Sequence, residues 1–75
     1  MITAYVLIRV EVGQEHEVLK QLQSFPEITE VRIVYGEYDV VATYEIESLK
    51  ALDGATTEAR KLKSIINTLT LITNC

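Results

Sequence analysis

The chain has little of what usually stabilises or equips a very small protein. Its 75 residues include one cysteine, Cys75, and one histidine, His16, so no internal disulfide can form and a Cys/His zinc cage is not available. There is no tryptophan and one proline. No apolar run approaches the ~18 residues that a membrane-spanning helix needs. These absences exclude a disulfide-bonded scaffold, a structural zinc module and a transmembrane helix.

Basic charge is also scarce. Eleven acidic residues face seven basic ones, and the formal net charge is −4. Binding to a phosphate backbone requires a basic footprint, so we expect no direct contact with nucleic acid. The first residues carry no basic segment of the kind that begins a signal peptide, and a single unpaired cysteine suits a reducing compartment. We therefore expect a cytoplasmic protein, and we interpret Cys75 as an incidental terminal thiol.

The small size predicts assembly. A domain of this length buries only about 60% of the surface that its unfolded chain exposes, which leaves its own core marginal. Small domains compensate with disulfides, metals or oligomerisation. Because the first two are excluded, the sequence predicts an oligomer.

The periodicity of apolar residues predicts six elements in the order βαββαβ. Alternation with a period of two marks strands, and recurrence at three and four residues marks helices. Ser48 is a good N-cap for the second helix, and Gly54 within it leaves open a break at Asp53. The predicted bounds are strand Ile2–Val10, a helix from Gln14 to the stop at Pro26, strands Ile28–Tyr35 and Tyr38–Ile46, a helix after Ser48, and strand Ile65–Thr73.

This order predicts an α+β, ferredoxin-like fold, with a four-stranded antiparallel sheet and both helices on one face. Right-handed crossovers give the strand order 4-1-3-2. The face that the helices leave open reads as β-branched and aromatic, which is typical of an association surface. Two such sheets packed face to face would form a homodimer of the dimeric α/β-barrel type. The residues expected on this face are Tyr5, Leu7, Val34, Val41, Thr43, Thr68 and Thr70.

The turn between the second and third strands carries the densest group of polar residues. Gly36-Glu37 fits a two-residue type II′ turn, with Glu37 and Asp39 beside it. A charged turn is the simplest interpretation. The alternative is a zwitterion site, in which these carboxylates hold an ammonium group. The N–H groups near Gly36 and the hydroxyls of Thr68 and Thr70 would then hold a carboxylate, although threonine is also common in strands for its β-propensity alone.

No arrangement of residues indicates catalysis. His16 lies among charged residues at a helix start, and no nucleophile or ligand set accompanies it. The three glycines, Gly13, Gly36 and Gly54, do not have the spacing of a phosphate loop. Paired carboxylates beside an exposed turn are poor proton donors at neutral pH. We therefore predict a protein that is not an enzyme and uses no cofactor or metal.

Two stretches resemble a known family. Residues 34–41, V-Y-G-E-Y-D-V-V, resemble the G-D-Y-D hairpin of the RAM domain, the effector-binding domain of the Lrp/AsnC transcriptional regulators. Residues 68–72, T-L-T-L-I, resemble the closing T-x-T-apolar-apolar strand of the same domain. The opening strand and the intervening helix also fit, so the resemblance covers essentially the whole chain.

The resemblance implies a RAM module without the helix-turn-helix that usually precedes it, spanning residues 1–75 as one domain. In this family the domains dimerise through their sheets and assemble into rings, commonly octamers. Amino-acid effectors bind between dimers, and a lone module is implied to act with full-length regulators. Carried over, the ligand residues are Gly36, Glu37, Tyr38, Asp39, Thr68 and Thr70.

Two departures and two alternatives accompany this interpretation. Glu37 stands where the family usually has Asp, and Lys63-Ser64-Ile65 stands where Pro-Gly-Val is common before the last strand. A small dimeric α/β-barrel enzyme has the same fold but needs a functional His or acid in a pocket. An ACT-type amino-acid-binding domain shares the topology and places a glycine loop after the first strand, where Gly13 lies.

Overall fold

The computed structural model describes residues 1–73, and the terminal thiol of Cys75 lies outside the described residues. Six elements follow one another in the predicted order. Within residues 1–73 no helix is long and apolar enough to cross a membrane. The elements are β1 (Ile2–Val10), α1 (Glu15–Leu22), β2 (Ile28–Ile33), β3 (Val40–Ile46), α2 (Leu49–Arg60) and β4 (Ile65–Ile72).

The four strands form one sheet in the order β2-β3-β1-β4, and every neighbouring pair is antiparallel. The central strand β1 pairs with β3 on one side and with β4 on the other. Both helices pack on the same side of this sheet, where they complete a single apolar core. The predicted ferredoxin-like α+β fold is therefore confirmed.

The core is built by alternate residues of the central strands. Ala4 and Ile8 of β1 have no exposed surface, and neither does Tyr44 of β3. α1 contributes Val18 and Leu22 from its apolar stripe. α2 adds a second stripe, whose buried residues are Leu52, Ala55, Thr56 and Ala59.

The helices differ from the prediction in their bounds. α1 ends at Leu22, before Pro26, because the backbone N–H of Phe25 already bonds the Leu22 carbonyl in a turn at 3.1 Å. α2 begins as predicted, since the Ala51 N–H donates to the Ser48 hydroxyl at 3.1 Å. It then runs unbroken through Gly54, so the alternative of a break at Asp53 is wrong.

The predicted two-residue turn at Gly36-Glu37 is also wrong. β2 ends at Ile33 and β3 begins at Val40, so residues 34–39 form a longer connection, which we call the 34–39 loop. Its ends close through the Val34 N–H, which donates to the Asp39 carbonyl at 2.9 Å. The strands stop early because Asp39 is bonded to β1, and Gly36 adopts φ +137° at the tip.

The expected open face needs a correction in β4. Thr68 lies opposite Ile8 and Thr70 lies opposite Val6, so both threonines are on the helix side of the sheet. A register shift between Arg9 and Val10 leaves Ile66 as an extra residue, which changes the face of every later side chain in β4. Leu69 and Leu71 take the open positions instead, opposite Leu7 and Tyr5. We use "open face" below for Thr3, Tyr5, Leu7, Arg9, Val41, Thr43, Asn67, Leu69 and Leu71.

Candidate functional site

The 34–39 loop is anchored to the end of β1 through Asp39. The Asp39 carboxylate accepts a hydrogen bond from the Val10 N–H at 2.9 Å. The Asp39 backbone N–H donates to the Ile8 carbonyl, also at 2.9 Å. Both bonds are made to backbone groups of one strand, so they fix where the loop joins β3. Asp39, which the sequence suggested as a ligand residue, therefore has a structural role.

A second anchor, Arg9, holds the tip of the loop. Its Nε and Nη2 both donate to the Glu37 carbonyl, at 2.9 and 2.7 Å. Its guanidinium carbon lies 5.6 Å from the centre of the Tyr38 ring, within cation–π range. The sequence motifs did not indicate Arg9 as a site residue. A signal was present, because Arg9 is the one charged residue in the apolar strand β1.

Three of the predicted site residues share one hollow. Gly36, Glu37 and Asp39 line a space of about 370 Å³ at the end of the sheet, which we call the loop hollow. The Glu37 side chain is exposed there and forms no ion pair with another residue of the described chain. Tyr38 belongs to the same loop but is not part of the lining. The other lining residues are Arg9, Val10, Val12, Glu15 and Ile66.

The two predicted threonines do not face the loop hollow. Thr68 lines a neighbouring space of about 360 Å³, and Thr70 lines another of about 330 Å³ between α2 and β4. We call these together the α2–β4 hollows. Arg60 borders both of them, and Ile66 separates the first from the loop hollow because it lines each. A single subunit therefore does not bring all six predicted residues together.

Arg60 is a second site residue that the sequence motifs did not indicate. It lies in the last turn of α2, where a cation interacts favourably with the helix dipole. Within residues 1–73 it forms no ion pair, so its guanidinium is available beside Thr68 and Thr70. This placement depends on how α2 is rotated about its axis where it packs beside β4. The sequence alone does not specify that rotation.

The described residues offer little support for metal or acid–base chemistry. Within residues 1–73, no three His, Cys, Asp or Glu side chains come close enough to hold a metal ion. His16 is exposed on α1. Burial, with a smaller contribution from the charge of Glu27, raises the pKa of Tyr44 to about 12. That hydroxyl lies in the core and lines none of the hollows described above.

Sequence comparison with known proteins matches this chain to one family. A family model described as the Lrp/AsnC ligand binding domain matches residues 3–73. The HTH-type transcriptional regulator FL11 from Pyrococcus furiosus is 31% identical over 71 residues, which is 95% of this chain and 47% of that protein. The chain therefore spans about half the length of this curated relative.

Comparison with solved structures finds the same fold. The crystal structure of hypothetical protein PHS023 from Pyrococcus horikoshii has a TM-score of 0.93 and 41% identity, covering 100% of this chain and 92% of that one. The transcriptional regulator NMB0573 from Neisseria meningitidis, solved as a complex with L-Met, has a TM-score of 0.87. It is 10% identical and covers 99% of this chain and 50% of that one, so this likeness shows the fold alone.

Proposed function

Because the chain belongs to the Lrp/AsnC ligand-binding-domain family, we propose that it is an amino-acid-sensing module that assembles through its open face. The family match over residues 3–73 confirms the resemblance of the two motifs. It also displaces the ACT-type alternative. The curated relative FL11 is a transcriptional regulator and the matching family model describes a ligand-binding domain, which supports a function other than catalysis. The observation that carries the proposal is the loop hollow with a free carboxylate at its rim.

Glu37 is the residue proposed to recognise the ammonium group of the effector. Its carboxylate belongs to a loop whose backbone is held by Arg9, through hydrogen bonds to the Glu37 carbonyl. A held backbone lowers the entropy cost of binding, because fewer groups must be ordered by the ligand. Asp39 supports the site differently, since its carboxylate is already bonded to the Val10 N–H. Gly36 and Tyr38 complete the loop that presents Glu37.

The effector carboxylate is proposed to bind Thr68 and Thr70, with Arg60 beside them. A guanidinium and hydroxyl groups are suitable donors for a carboxylate. In one subunit these groups lie beyond Ile66 from the loop hollow. We therefore propose that the complete site forms where the loop of one subunit meets β4 of another. The neighbour NMB0573, solved as a complex with L-Met, supports an amino acid as the effector class.

The composition of the open face supports dimerisation. Tyr5, Leu69 and Leu71 are 40%, 44% and 49% exposed, and their register places them side by side around Leu7. An exposed apolar cluster of this kind is typical of an interface. At one edge, Arg32 and Glu30 form a surface ion pair at 2.6 Å, which gives the cluster a polar rim. Larger rings, and assembly with full-length regulators in place of direct DNA contact, are further parts of the proposal.

Calorimetry tests the sensing function. Each of the twenty amino acids is titrated into the protein, and we expect at least one to bind. Glu37→Gln should weaken that binding roughly 10- to 100-fold, because a hydrogen bond to a charged group contributes about 1.5–3 kcal/mol. Glu17→Gln on the exposed side of α1 is the matched control and should leave binding unchanged. If no amino acid binds, the sensing function is wrong; equal binding by both variants would reject Glu37 alone.

Light scattering tests the assembly separately. We expect a dimer or a larger ring at micromolar concentration. A stable monomer under these conditions would contradict the role given to the open face, whatever the titrations show.

A further inference from the structure

Arg9 belongs to two surfaces of the molecule. In the register of the sheet it lies opposite Asn67, in the same row of β1 as Leu7 and Tyr5. Its stem therefore leaves the sheet on the open face, beside the apolar cluster. Its guanidinium meanwhile reaches beyond the end of the sheet to the Glu37 carbonyl and the Tyr38 ring.

The tip of the 34–39 loop depends on this side chain. Asp39 and Val34 fix the two ends of the loop through backbone and carboxylate hydrogen bonds. For Glu37 and Tyr38, between those ends, Arg9 supplies two hydrogen bonds to the Glu37 carbonyl and a cation–π contact with the Tyr38 ring. At Gly36 a side chain would meet nothing within 4 Å, so no packing restrains the tip there. The order of the tip is therefore set mainly by the order of Arg9.

Assembly through the open face would change that order. In a free subunit Arg9 is exposed, and a long side chain of this kind carries about 2 kcal/mol of rotamer entropy that opposes a fixed geometry. A partner sheet placed over the open face would cover the Arg9 stem, restrict its rotamers and remove competing water. Hydrogen bonds strengthen when their surroundings lose water, so the bonds to the Glu37 carbonyl would gain strength.

We infer that Arg9 is a positioning residue that couples dimerisation through the open face to the order of the 34–39 loop. This inference rests on the proposed function for its dimer and for the role of the loop. Coupling between two equilibria is reciprocal, so an ordered loop strengthens the dimer by the same factor by which the dimer orders the loop. Through Arg9, the order of the loop tip that presents Glu37 therefore depends on whether the subunit is dimeric.

NMR order parameters of the backbone N–H groups, measured without any ligand, test this coupling. Those of Glu37 and Tyr38 are followed while the wild-type protein is diluted through its dimer–monomer transition. We expect them to fall from about 0.85, the value of rigid backbone, to below about 0.6 in the monomer. The Leu52 amide, which donates to the Ser48 carbonyl at the start of α2, is the internal reference and should not change.

Three variants separate positioning from general damage. Arg9→Met keeps an apolar stem but removes the guanidinium, so the order parameters of its loop tip should be low at every concentration. Arg9→Lys retains one donor and should restore part of the dependence on concentration. Lys20→Met removes an exposed cation of α1, which lies on the helix side of the sheet and outside the loop. It should behave as the wild type.

The outcomes discriminate between the two proposals. Loop-tip order parameters that are equal in monomer and dimer would overturn the coupling, whether or not an amino acid binds. A concentration dependence that survives in Arg9→Met would overturn the role of Arg9. A chain that stays monomeric throughout would overturn the coupling together with the assembly. A failed amino-acid screen alone would leave this result standing, because no ligand is used.

Discussion

The two faces of the sheet are both apolar, yet they do different things. On the helix side, Ile8, Val40 and Tyr44 are completely buried within one subunit. On the open face, Tyr5, Leu69 and Leu71 keep two fifths to one half of their surface exposed. Leu7 and Ile8 are neighbours in one strand, yet Ile8 lies in the core of the subunit and Leu7 lies on the open face. Composition alone does not distinguish these roles; the neighbours on each face do.

The difference predicts that mutations on the two faces act on different equilibria. A helix-side change should alter the free energy of unfolding of the single subunit. An open-face change should leave that quantity nearly intact and alter association instead. The following variants examine this contrast in order of decreasing effect on unfolding.

Ile8→Ala should have the largest effect on unfolding. Ile8 is fully buried between β3 and β4, and truncation of such a side chain typically costs about 2–5 kcal/mol through lost burial and a cavity. Leu7→Ala is the matched variant on the open face and should cost clearly less. Urea denaturation below the concentration at which dimers form measures both. Equal costs for the two variants would abolish the distinction between the faces.

High pH should destabilise the subunit through Tyr44. Its pKa is 10.0 in the ordinary state and about 12 in the fold, so the unfolded chain loses the proton first. Stability is therefore complete below pH 10 and is lost as the pH rises towards 12, by up to about 1.4 kcal/mol per pH unit.

Tyr44→Phe should remove this contribution to the slope. It should also raise stability at neutral pH by about 1 kcal/mol, because the buried Tyr44 hydroxyl has no hydrogen-bond partner within residues 1–73. Tyr5→Phe on the open face is the control and should retain the slope. Thermal unfolding between pH 8 and 11 measures all three proteins, and an unchanged slope in Tyr44→Phe would assign the alkaline loss to other groups.

Leu71→Glu should have the smallest effect on unfolding and a large one on association. The side chain is half exposed in the subunit, so its replacement should change the unfolding free energy by no more than about 0.5 kcal/mol. In a sheet-to-sheet dimer it would bury two unpaired carboxylates, which should prevent association at micromolar concentration. Size-exclusion chromatography with light scattering measures this. Thr57→Glu, exposed on α2, is the control; a dimeric Leu71→Glu would place the interface elsewhere.

The parts of the fold that depend on local pattern could be predicted from the sequence. The alternation in β1 specified its two faces, and Ser48 specified where α2 begins. In β4 the local pattern does not determine which residues lie on which face. Its sequence, I-I-N-T-L-T-L-I, alternates equally well in either phase, and only the pairing with β1 places Ile66 as the extra residue. The threonines were consequently assigned to the wrong face.

The site shows the same limit. Gly36, Glu37 and Asp39 are close in sequence, and the structure gathers them at one hollow. The residues that position or accompany them are remote. Arg9 reaches Glu37 across 28 positions, and Asp39 bonds to Val10 across 29. Such contacts follow from tertiary packing, which local periodicity does not encode. The longer loop was missed for this reason, since its length is set by the bonds of Asp39 to β1.

The extra residue in β4 has a consequence for divergence within the family. With Ile66 present, Leu69 and Leu71 of β4 lie on the open face and its threonines line the α2–β4 hollows. Deletion of this one codon would leave both sets where they are, because Ile65 would still lie opposite Val10 and Asn67 opposite Arg9. An alignment without a gap here would therefore match a threonine of one domain with a leucine of another, although the two lie on opposite faces of the sheet. Alignments of such domains should be judged at this position before threonines or leucines are compared.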